Sequence, residues 1–190
     1  KAISFFGKID VLVNNGGISQ RSLIAETDFA VDKKIMDVDY FGTIALTKAL
    51  LPHFIQNQSG HYVTVTSLMG KFGSPYRSGY CAAKHALHGY FDVMRMEHEK
   101  DGVAVTLVCP GFVQTNVAIN ALTADGSPQV KNSETTANGM LLADFIPKMV
   151  RAMEQKKFEV YIGKKEVLGI YLKRFLPKFL HTVVMKSKVN

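Results

Sequence analysis

Residues 61–84 read HYVTVTSLMGKFGSPYRSGYCAAK, which begins as a strand and ends as a helix. The first seven residues are rich in β-branched side chains and stop at Ser67, as is typical of a buried strand. Glycine and proline then interrupt the pattern, and we expect a helix from Tyr80 to about Lys100. A strand that leads into a helix is the repeating unit of folds built on a parallel sheet.

The flanking sequence repeats this alternation of strands and helices. The predicted strands are residues 10–15, 61–67, 103–109 and 158–162, and the predicted helices are residues 28–56, 80–100 and 144–155. Residues 113–138 are polar and show no clear period, and a loop of that length is usually functional or mobile. The pattern predicts an α/β fold with a doubly wound parallel sheet, that is, a Rossmann-like fold.

The chain enters this pattern midway, because no glycine-rich turn joins a first strand to a helix. If residues 10–15 began the fold, their edge would be apolar and unprotected, which proteins avoid. We therefore expect that three strand–helix units, together roughly 80 residues long, precede this sequence. On that expectation, residues 1–165 are the catalytic part of one domain and residues 166–190 are a basic amphipathic tail.

Composition restricts the class of protein. Of the 190 residues, 47% are apolar and 21% are charged, which is typical of a soluble globular chain. No apolar run approaches the roughly 20 residues that span a bilayer. Cys81 and Cys109 are too few for a disulfide framework and lack metal-site spacing, so we expect buried thiols and no metal. We expect the protein in the cytoplasm, or at the cytoplasmic face of an internal membrane.

The formal net charge of +7 is concentrated at the carboxyl terminus. The basic residues of the segment 164–190 are Lys164, Lys165, Lys173, Arg174, Lys178, Lys186 and Lys188. Glu166 is the single acidic residue of this segment, so residues 164–190 carry a formal charge of +6 and the remainder of the chain is nearly neutral. A protein that binds nucleic acid would carry a basic face on its body, and we expect no such partner.

The tail also has an apolar pattern. Leu168, Leu172, Phe175, Phe179 and Val183 recur at helical spacing, with Pro177 kinking the run. One interpretation is a lid over the substrate loop. The other is a peripheral anchor on an anionic membrane.

Tyr80 and Lys84 are four residues apart on a predicted helix and therefore share one face. An ammonium there stabilises a phenolate, as a tyrosine that acts as general acid and base requires. Alone, the pair is a weak signal, because such pairs usually lie on a solvated surface. Ser67 is thirteen residues upstream, at the carboxyl end of a strand, where doubly wound folds bind ligands. A lone serine there is more often a turn residue.

The order and spacing of these residues resemble the short-chain dehydrogenase/reductase superfamily over about residues 1–165. The matching segments are Asn14-Asn15-Gly16-Gly17, Val38-Asp39-Tyr40, Ser67, Tyr80, Lys84 and Pro110-Gly111-Phe112-Val113-Gln114-Thr115. Residues 14–21 (NNGGISQR) and 123–127 (TADGS) are also similar to the dehydrogenase/reductase member-seven subgroup, particularly its B form.

The resemblance implies a role for each matching residue. Tyr80 would exchange a proton with the substrate oxygen, Lys84 would assist it and hold the nicotinamide ribose, and Ser67 would bind the substrate oxygen. The implied catalytic set is Ser67, Tyr80, Lys84 and Asp39. The implied cofactor-binding set is Asn15, Gly16, Tyr80, Lys84, Pro110, Gly111, Val113 and Thr115. The implied cofactor is NADP or NAD, and the subgroup favours NADP.

Two positions depart from the family pattern. Gly16 replaces the usual alanine, which adds backbone freedom. Asp39 replaces the usual asparagine, and its carboxylate would attract Lys84 and offset part of the positive field at Tyr80. Oxidation should then favour a more alkaline optimum. The alternative is that Asp39 is hydrated, or bonded to a helix backbone amide, and has no electrostatic effect on the site.

Two functions remain open at this point. The first is an oxidoreductase acting on an apolar carbonyl or secondary alcohol, such as a steroid, retinoid or lipid-like compound. The second is a cofactor-binding scaffold or regulator with little turnover, which Asp39 favours and the intact Ser67, Tyr80 and Lys84 set disfavours. The resemblance also implies a homodimer or homotetramer built on helices 28–56 and 80–100. Small residues such as Gly42 and Gly89 fit that packing, although packing against the sheet would explain them equally well.

Overall fold

The computed structural model describes residues 1–131 and 133–187 and contains a four-stranded parallel sheet. The strands are β1 (Val11–Asn14), β2 (Gly60–Val65), β3 (Val103–Pro110) and β4 (Glu159–Ile162), in the order β1-β2-β3-β4. The register pairs Val11 with His61, His61 with Ala104, and Leu107 with Glu159. The predicted doubly wound α/β class is confirmed. Asn132 in the predicted loop, and Lys188 with the last two residues of the predicted tail, lie outside the described residues.

Helices cover both faces of this sheet. They are α1 (Ala2–Phe6), α2 (Phe29–Ile35), α3 (Gly42–Gln56), α4 (Ser78–Glu97), α5 (Glu134–Ala137), α6 (Leu142–Glu154), α7 (Leu168–Phe175) and α8 (Pro177–Lys186). Tyr62 packs towards α3 and α4, whereas its neighbour Val63 packs towards α6. Successive side chains of a strand point to opposite faces, so the two helical layers lie on opposite sides of the sheet.

The helix predicted over residues 28–56 is not a uniform α-helix. Met36–Phe41 forms a π-helix between α2 and α3. The apolar spacing in the sequence is compatible with both kinds of turn, so it did not reveal the wider one. Short π-helical turns occur often at functional sites. This one contains Asp39, whose side chain is directed into the protein.

The main core joins α3 and α4 to the sheet through aromatic side chains. Phe54 and Tyr62 have ring centres 4.8 Å apart, and Phe91 completes the group from α4. The Tyr62 hydroxyl donates to the carbonyl oxygen of Thr47 at 2.8 Å, so its buried polar group is satisfied. A Cβ at Gly60 would overlap the Phe54 ring, which requires glycine at the start of β2.

Truncating Phe54 should destabilise the whole domain. Its side chain is fully buried, and Phe→Ala substitutions at such positions cost about 3–5 kcal/mol because a cavity remains. Urea denaturation of Phe54→Ala should show that loss. Phe29→Ala removes the same atoms at a position that is 77% exposed, and should change the free energy of unfolding little. Equal losses in the two variants would contradict this assignment of the core.

Candidate active site

A cleft of about 600 Å³ opens where β1, β2 and β3 end. The sequence-predicted residues that line it are Asn15, Ser67, Tyr80, Lys84, Pro110, Gly111, Val113 and Thr115. They meet because parallel strands bring their carboxyl ends to the same edge of the sheet. Gly16 is not among the lining residues and Gly17 takes that place, while Asp39 lies beneath the surface of the cleft.

Tyr80 and Lys84 project from the first turns of α4. The Lys84 Nζ atom lies 5.5 Å from the centre of the Tyr80 ring, which is a cation–π distance. Lys84 is only 4% exposed, and its Nζ donates to the carbonyl oxygen of Val65 at 3.4 Å. The ammonium is therefore fixed between the helix and the end of β2.

Asp39 is fully buried on the other side of this ammonium. Its Oδ1 accepts the backbone N–H of Ile18 at 2.7 Å, and its Oδ2 is 3.4 Å from Lys84 Nζ without hydrogen-bond alignment. Burial raises the pKa of Asp39, and the charge of Lys84 opposes that change. The amide partner of the carboxylate therefore belongs to the loop after β1 and not to a helix.

Gly17 completes the floor of the cleft. A Cβ at this position would lie 3.2 Å from Lys84 Nζ and 3.3 Å from Asp39 Oδ2, closer than most Cβ contacts. The missing side chain leaves backbone open to a ligand. The cleft is otherwise mostly apolar with a few convergent polar groups, as in sites that hold an organic cofactor. These features fit a nicotinamide cofactor.

Ser67 has a structural contact as well as a place in the cleft. Its Oγ accepts the N–H of Met69 at 3.1 Å and caps a short turn over Leu68–Gly70. This is the turn role that a lone serine would have. The hydroxyl proton is still available for a ligand oxygen.

Sequence reasoning missed Gln20, which positions the start of α4. Its side chain is fully buried, and its Oε1 accepts the N–H of Gly79 at 2.8 Å. Its Nε2 donates to the hydroxyls of Ser22 and Thr27, both at 3.1 Å. A helix end leaves backbone N–H groups unpaired, and Gln20 satisfies one immediately before Tyr80. A polar residue in the loop after β1 was the only available signal.

A second grouping was invisible in the spacing of the sequence. His88, Cys109 and Glu159 come from α4, β3 and β4, and their potential metal-ligand atoms lie within 4.8 Å of one another. The Cys109 thiol donates to Glu159 at 3.3 Å, and Lys71 Nζ is 2.8 Å from the same oxygen. Burial lowers the pKa of His88 to about 4 and raises that of Cys109. The Lys71 ammonium already supplies the cation beside Glu159. Both cysteines are free and buried, as expected.

The carboxyl-terminal helices pack beside the cleft. The Oε1 of Glu166 accepts the N–H of Phe112 at 3.1 Å, which ties the start of the tail to the turn after β3. An apolar groove of about 220 Å³ runs between that turn and α7 and α8. It shares Met69, Phe112 and Glu166 with a smaller cavity beside Tyr80. Among the described residues, no helix has the length and apolar character needed to cross a bilayer.

Comparison with known proteins gives consistent matches. A family model described as short chain dehydrogenase matches residues 1–125. Dehydrogenase/reductase SDR family member 7B of Bos taurus is 43% identical over 173 residues, which are 90% of this chain and 53% of that protein. The chain therefore spans about half the length of that relative.

Two solved structures extend the comparison. The structure of ElxO with NADP bound is 33% identical with a TM-score of 0.58, covering 59% of this chain and 46% of ElxO. A short chain dehydrogenase from Burkholderia cenocepacia in complex with NADP is 23% identical with a TM-score of 0.80. That match covers 98% of this chain and 73% of the other, and at this identity it supports the fold alone.

Stability should depend on pH through Asp39. A carboxyl whose pKa is raised on folding stabilises the fold below its unfolded pKa near 3.9, and that contribution is lost as pH rises through the folded pKa. The free energy of unfolding of the wild type, relative to Asp39→Asn, should therefore fall from about pH 4 upwards. Urea denaturation at pH 4–8 measures it.

The control for that experiment is Asp37→Asn, which removes an exposed carboxylate from the same π-helix. The free energy of unfolding of the wild type relative to Asp37→Asn should not fall with rising pH. A difference that grows with pH in the Asp39→Asn comparison would mean that attraction to Lys84 outweighs the cost of burial, contrary to this prediction.

Proposed function

Because the chain belongs to the short chain dehydrogenase family, we propose that it acts as an NAD(P)-dependent oxidoreductase that interconverts a carbonyl and a secondary alcohol. The observation that carries this proposal is the placement of Tyr80, Lys84 and Ser67 around one cleft. When bound, the nicotinamide supplies or accepts the hydride. The protein supplies the proton, the orientation and the electrostatic field.

In this proposal the Tyr80 hydroxyl donates its proton to the carbonyl oxygen during reduction and accepts a proton during oxidation. The Lys84 ammonium, 5.5 Å from the ring, stabilises the phenolate that remains. Ser67 donates its hydroxyl proton to the substrate oxygen while its Oγ accepts the N–H of Met69. Asp39 holds Lys84 in place and weakens its field, so oxidation should require more alkaline conditions than with asparagine.

The same cleft would hold the cofactor. Asn15, and Gly17 in the place expected of Gly16, would contact its adenosine side, and Lys84 with Tyr80 would contact the nicotinamide ribose. Val113 and Thr115, after Pro110-Gly111, would meet the carboxamide. We favour NADP over NAD, a preference supported by the subgroup resemblance and by ElxO, whose structure has NADP bound.

The substrate in this proposal is apolar over part of its length. The 220 Å³ groove next to the smaller cavity beside Tyr80 is lined by apolar side chains of the loop after β2 and of the tail, among them Phe72, Leu172 and Leu180. A steroid, a retinoid or a lipid-like ketone would place its apolar portion there. The tail then acts as one wall of the substrate site, which is the lid interpretation.

The outer surface of the tail supports a membrane contact as well. Its exposed apolar side chains are Tyr171, Phe175, Leu176, Phe179 and Met185. Lys173, Arg174, Lys178 and Lys186 lie among them on the same two helices. An exposed apolar surface with cations suits the face of an anionic membrane. We propose peripheral contact with such a membrane on the cytoplasmic side, where buried free cysteines are stable.

We also propose a homodimer or homotetramer. The outer faces of the π-helix, α3 and α4 expose large apolar side chains, including Phe41 at 52%, Leu46 at 61% and Met96 at 70%. Exposed apolar residues on neighbouring elements support an interface between copies of the protein.

Replacing Tyr80 by phenylalanine tests the catalytic proposal. Loss of the hydroxyl removes the proton donor and should lower kcat by about 10²–10⁴-fold, with the fold and cofactor affinity preserved. Steady-state assays with ketones, alcohols and each cofactor measure turnover, and fluorescence of the reduced nicotinamide measures binding. Tyr90→Phe on the same helix is the control. Retention of most activity in Tyr80→Phe, or cofactor binding with no turnover in the wild type, would favour the scaffold instead.

Neutralising the tail tests the membrane contact. Each basic residue near an anionic surface contributes about 1 kcal/mol, so Lys173→Gln with Lys178→Gln should weaken vesicle binding about 30-fold. Sedimentation with phosphatidylserine vesicles measures this, and neutral vesicles should bind little protein. The control is Lys33→Gln with Lys34→Gln, at exposed positions of α2. Equal binding of all three proteins would rule out contact through the tail.

A further inference from the structure

The polar loop after β3 is attached at both ends to the connector between β4 and α7, which is residues 163–167. The residues of this loop that line the cleft are Val113, Thr115, Asn116, Val117 and Asn120. Two side chains of the connector, Lys164 and Glu166, bind the main chain at the two ends of the loop. Neither side chain has a part in the proposed reaction.

Glu166 holds the beginning of the loop. Its Oε1 accepts the N–H of Phe112 at 3.1 Å. Two glycines leave room for this carboxylate, because a Cβ at Gly111 would overlap it and a Cβ at Gly163 would lie 2.9 Å from its Oε1. In the described part of the chain Glu166 has no ion-pair partner. Its contact with the loop is therefore that of a hydrogen-bond acceptor.

Lys164 holds the other end of the loop. Its Nζ donates to the carbonyl oxygens of Asn138 at 3.1 Å and Gly139 at 3.3 Å, directly after α5. Carbonyl groups at the end of a helix lack partners within it, and a lysine ammonium can satisfy them. The end of the loop is thereby fixed to the same connector as its beginning.

The two ends of the loop also bind each other through the main chain. The Phe112 carbonyl oxygen accepts the N–H of Met140 at 2.7 Å, and the N–H of Gln114 donates to the Met140 carbonyl oxygen at 2.9 Å. The N–H of Gly111 donates to the last residue of β4 at 2.8 Å. The base of the loop is therefore one hydrogen-bonded unit that includes the end of β4.

We propose that Glu166 and Lys164 are positioning residues, which fix the two ends of the loop and so hold the cleft wall against a bound nicotinamide cofactor. The turn that Glu166 binds leads into Val113 and Thr115, which would meet the carboxamide in the proposed function. The inference rests on that function for the identity of the ligand, whereas the attachment of the loop rests on the hydrogen bonds alone.

Hydrogen exchange tests the attachment without turnover. In Glu166→Ala the Phe112 amide loses its acceptor, so the amides of Phe112 and Gln114 should exchange at least tenfold faster than in the wild type. Glu166→Gln keeps an acceptor oxygen and should exchange like the wild type. Glu154→Ala, at an exposed position of α6, is the matched control. Unchanged rates in Glu166→Ala, or an equal acceleration throughout β2, would overturn the proposal.

Cofactor affinity tests the consequence for the cleft. Glu166→Ala should raise the Kd of the reduced nicotinamide cofactor about tenfold, and Lys164→Met about threefold because its ammonium is exposed. The KM for the cofactor should rise by more than kcat falls. Glu166→Gln and the exposed control Lys157→Met should bind like the wild type. Nicotinamide fluorescence measures Kd, and wild-type affinity in both Glu166→Ala and Lys164→Met would refute the inference.

Gly163→Ala tests the position of the carboxylate on which the proposal depends. The added Cβ would displace the Glu166 carboxylate from Phe112, so the Kd of the cofactor should rise towards that of Glu166→Ala. In the Glu166→Ala background the same Cβ has room and should change Kd little. An equal rise in both backgrounds would contradict the proposal.

The two kinds of measurement separate this inference from the proposed function. If the wild type binds neither NADPH nor NADH, the proposed function is wrong, and the exchange rates alone decide whether Glu166 positions the loop. If the wild type reduces a ketone while Glu166→Ala and Lys164→Met keep full cofactor affinity, the proposed function stands and this inference is wrong.

Discussion

Lys84 and Asp39 form an ion pair that is almost wholly removed from solvent, and four segments converge on it. Asp39 binds the loop after β1 through the Ile18 amide, and Lys84 binds the end of β2 through the Val65 carbonyl. The π-helix and α4 provide the two side chains. Removing either partner would leave an uncompensated charge inside the protein, so these segments depend on one another.

This arrangement places costly charges where a ligand would bind. Buried ions are weak contributors to stability, whereas the aromatic core around Phe54 and Tyr62 provides the apolar burial that offsets them. Arg21 and Arg77 line the smaller cavity beside Tyr80.

The cleft, the smaller cavity beside Tyr80 and the apolar groove are adjacent, because each shares lining residues with the next. The large cleft lies at the strand ends, and the smaller cavity beside Tyr80 shares Tyr80 and Ser67 with it. The apolar groove between the turn after β3 and the tail helices shares Met69 and Phe112 with that smaller cavity. Under the proposed function, a substrate crossing them would place its carbonyl beside Tyr80 and its apolar portion in the groove. In the proposed function, the tail helices contact the substrate on one side and a membrane on the other.

The sequence alone determined the doubly wound fold, the family resemblance and the shared helical face of Tyr80 and Lys84, and the first two are confirmed. These follow from local periodicity and from motif order, which the linear chain records directly. Strand bounds also agreed to within about two residues. Only the tertiary structure decided that Asp39 lies in a π-helix, that Gly17 rather than Gly16 lines the cleft, and that Gln20 caps α4. The same holds for Arg21 and Arg77, which line one cavity, and for the cluster of His88, Cys109 and Glu159. Such contacts join residues far apart in sequence, and they depend on strand order, register and packing that no local pattern specifies.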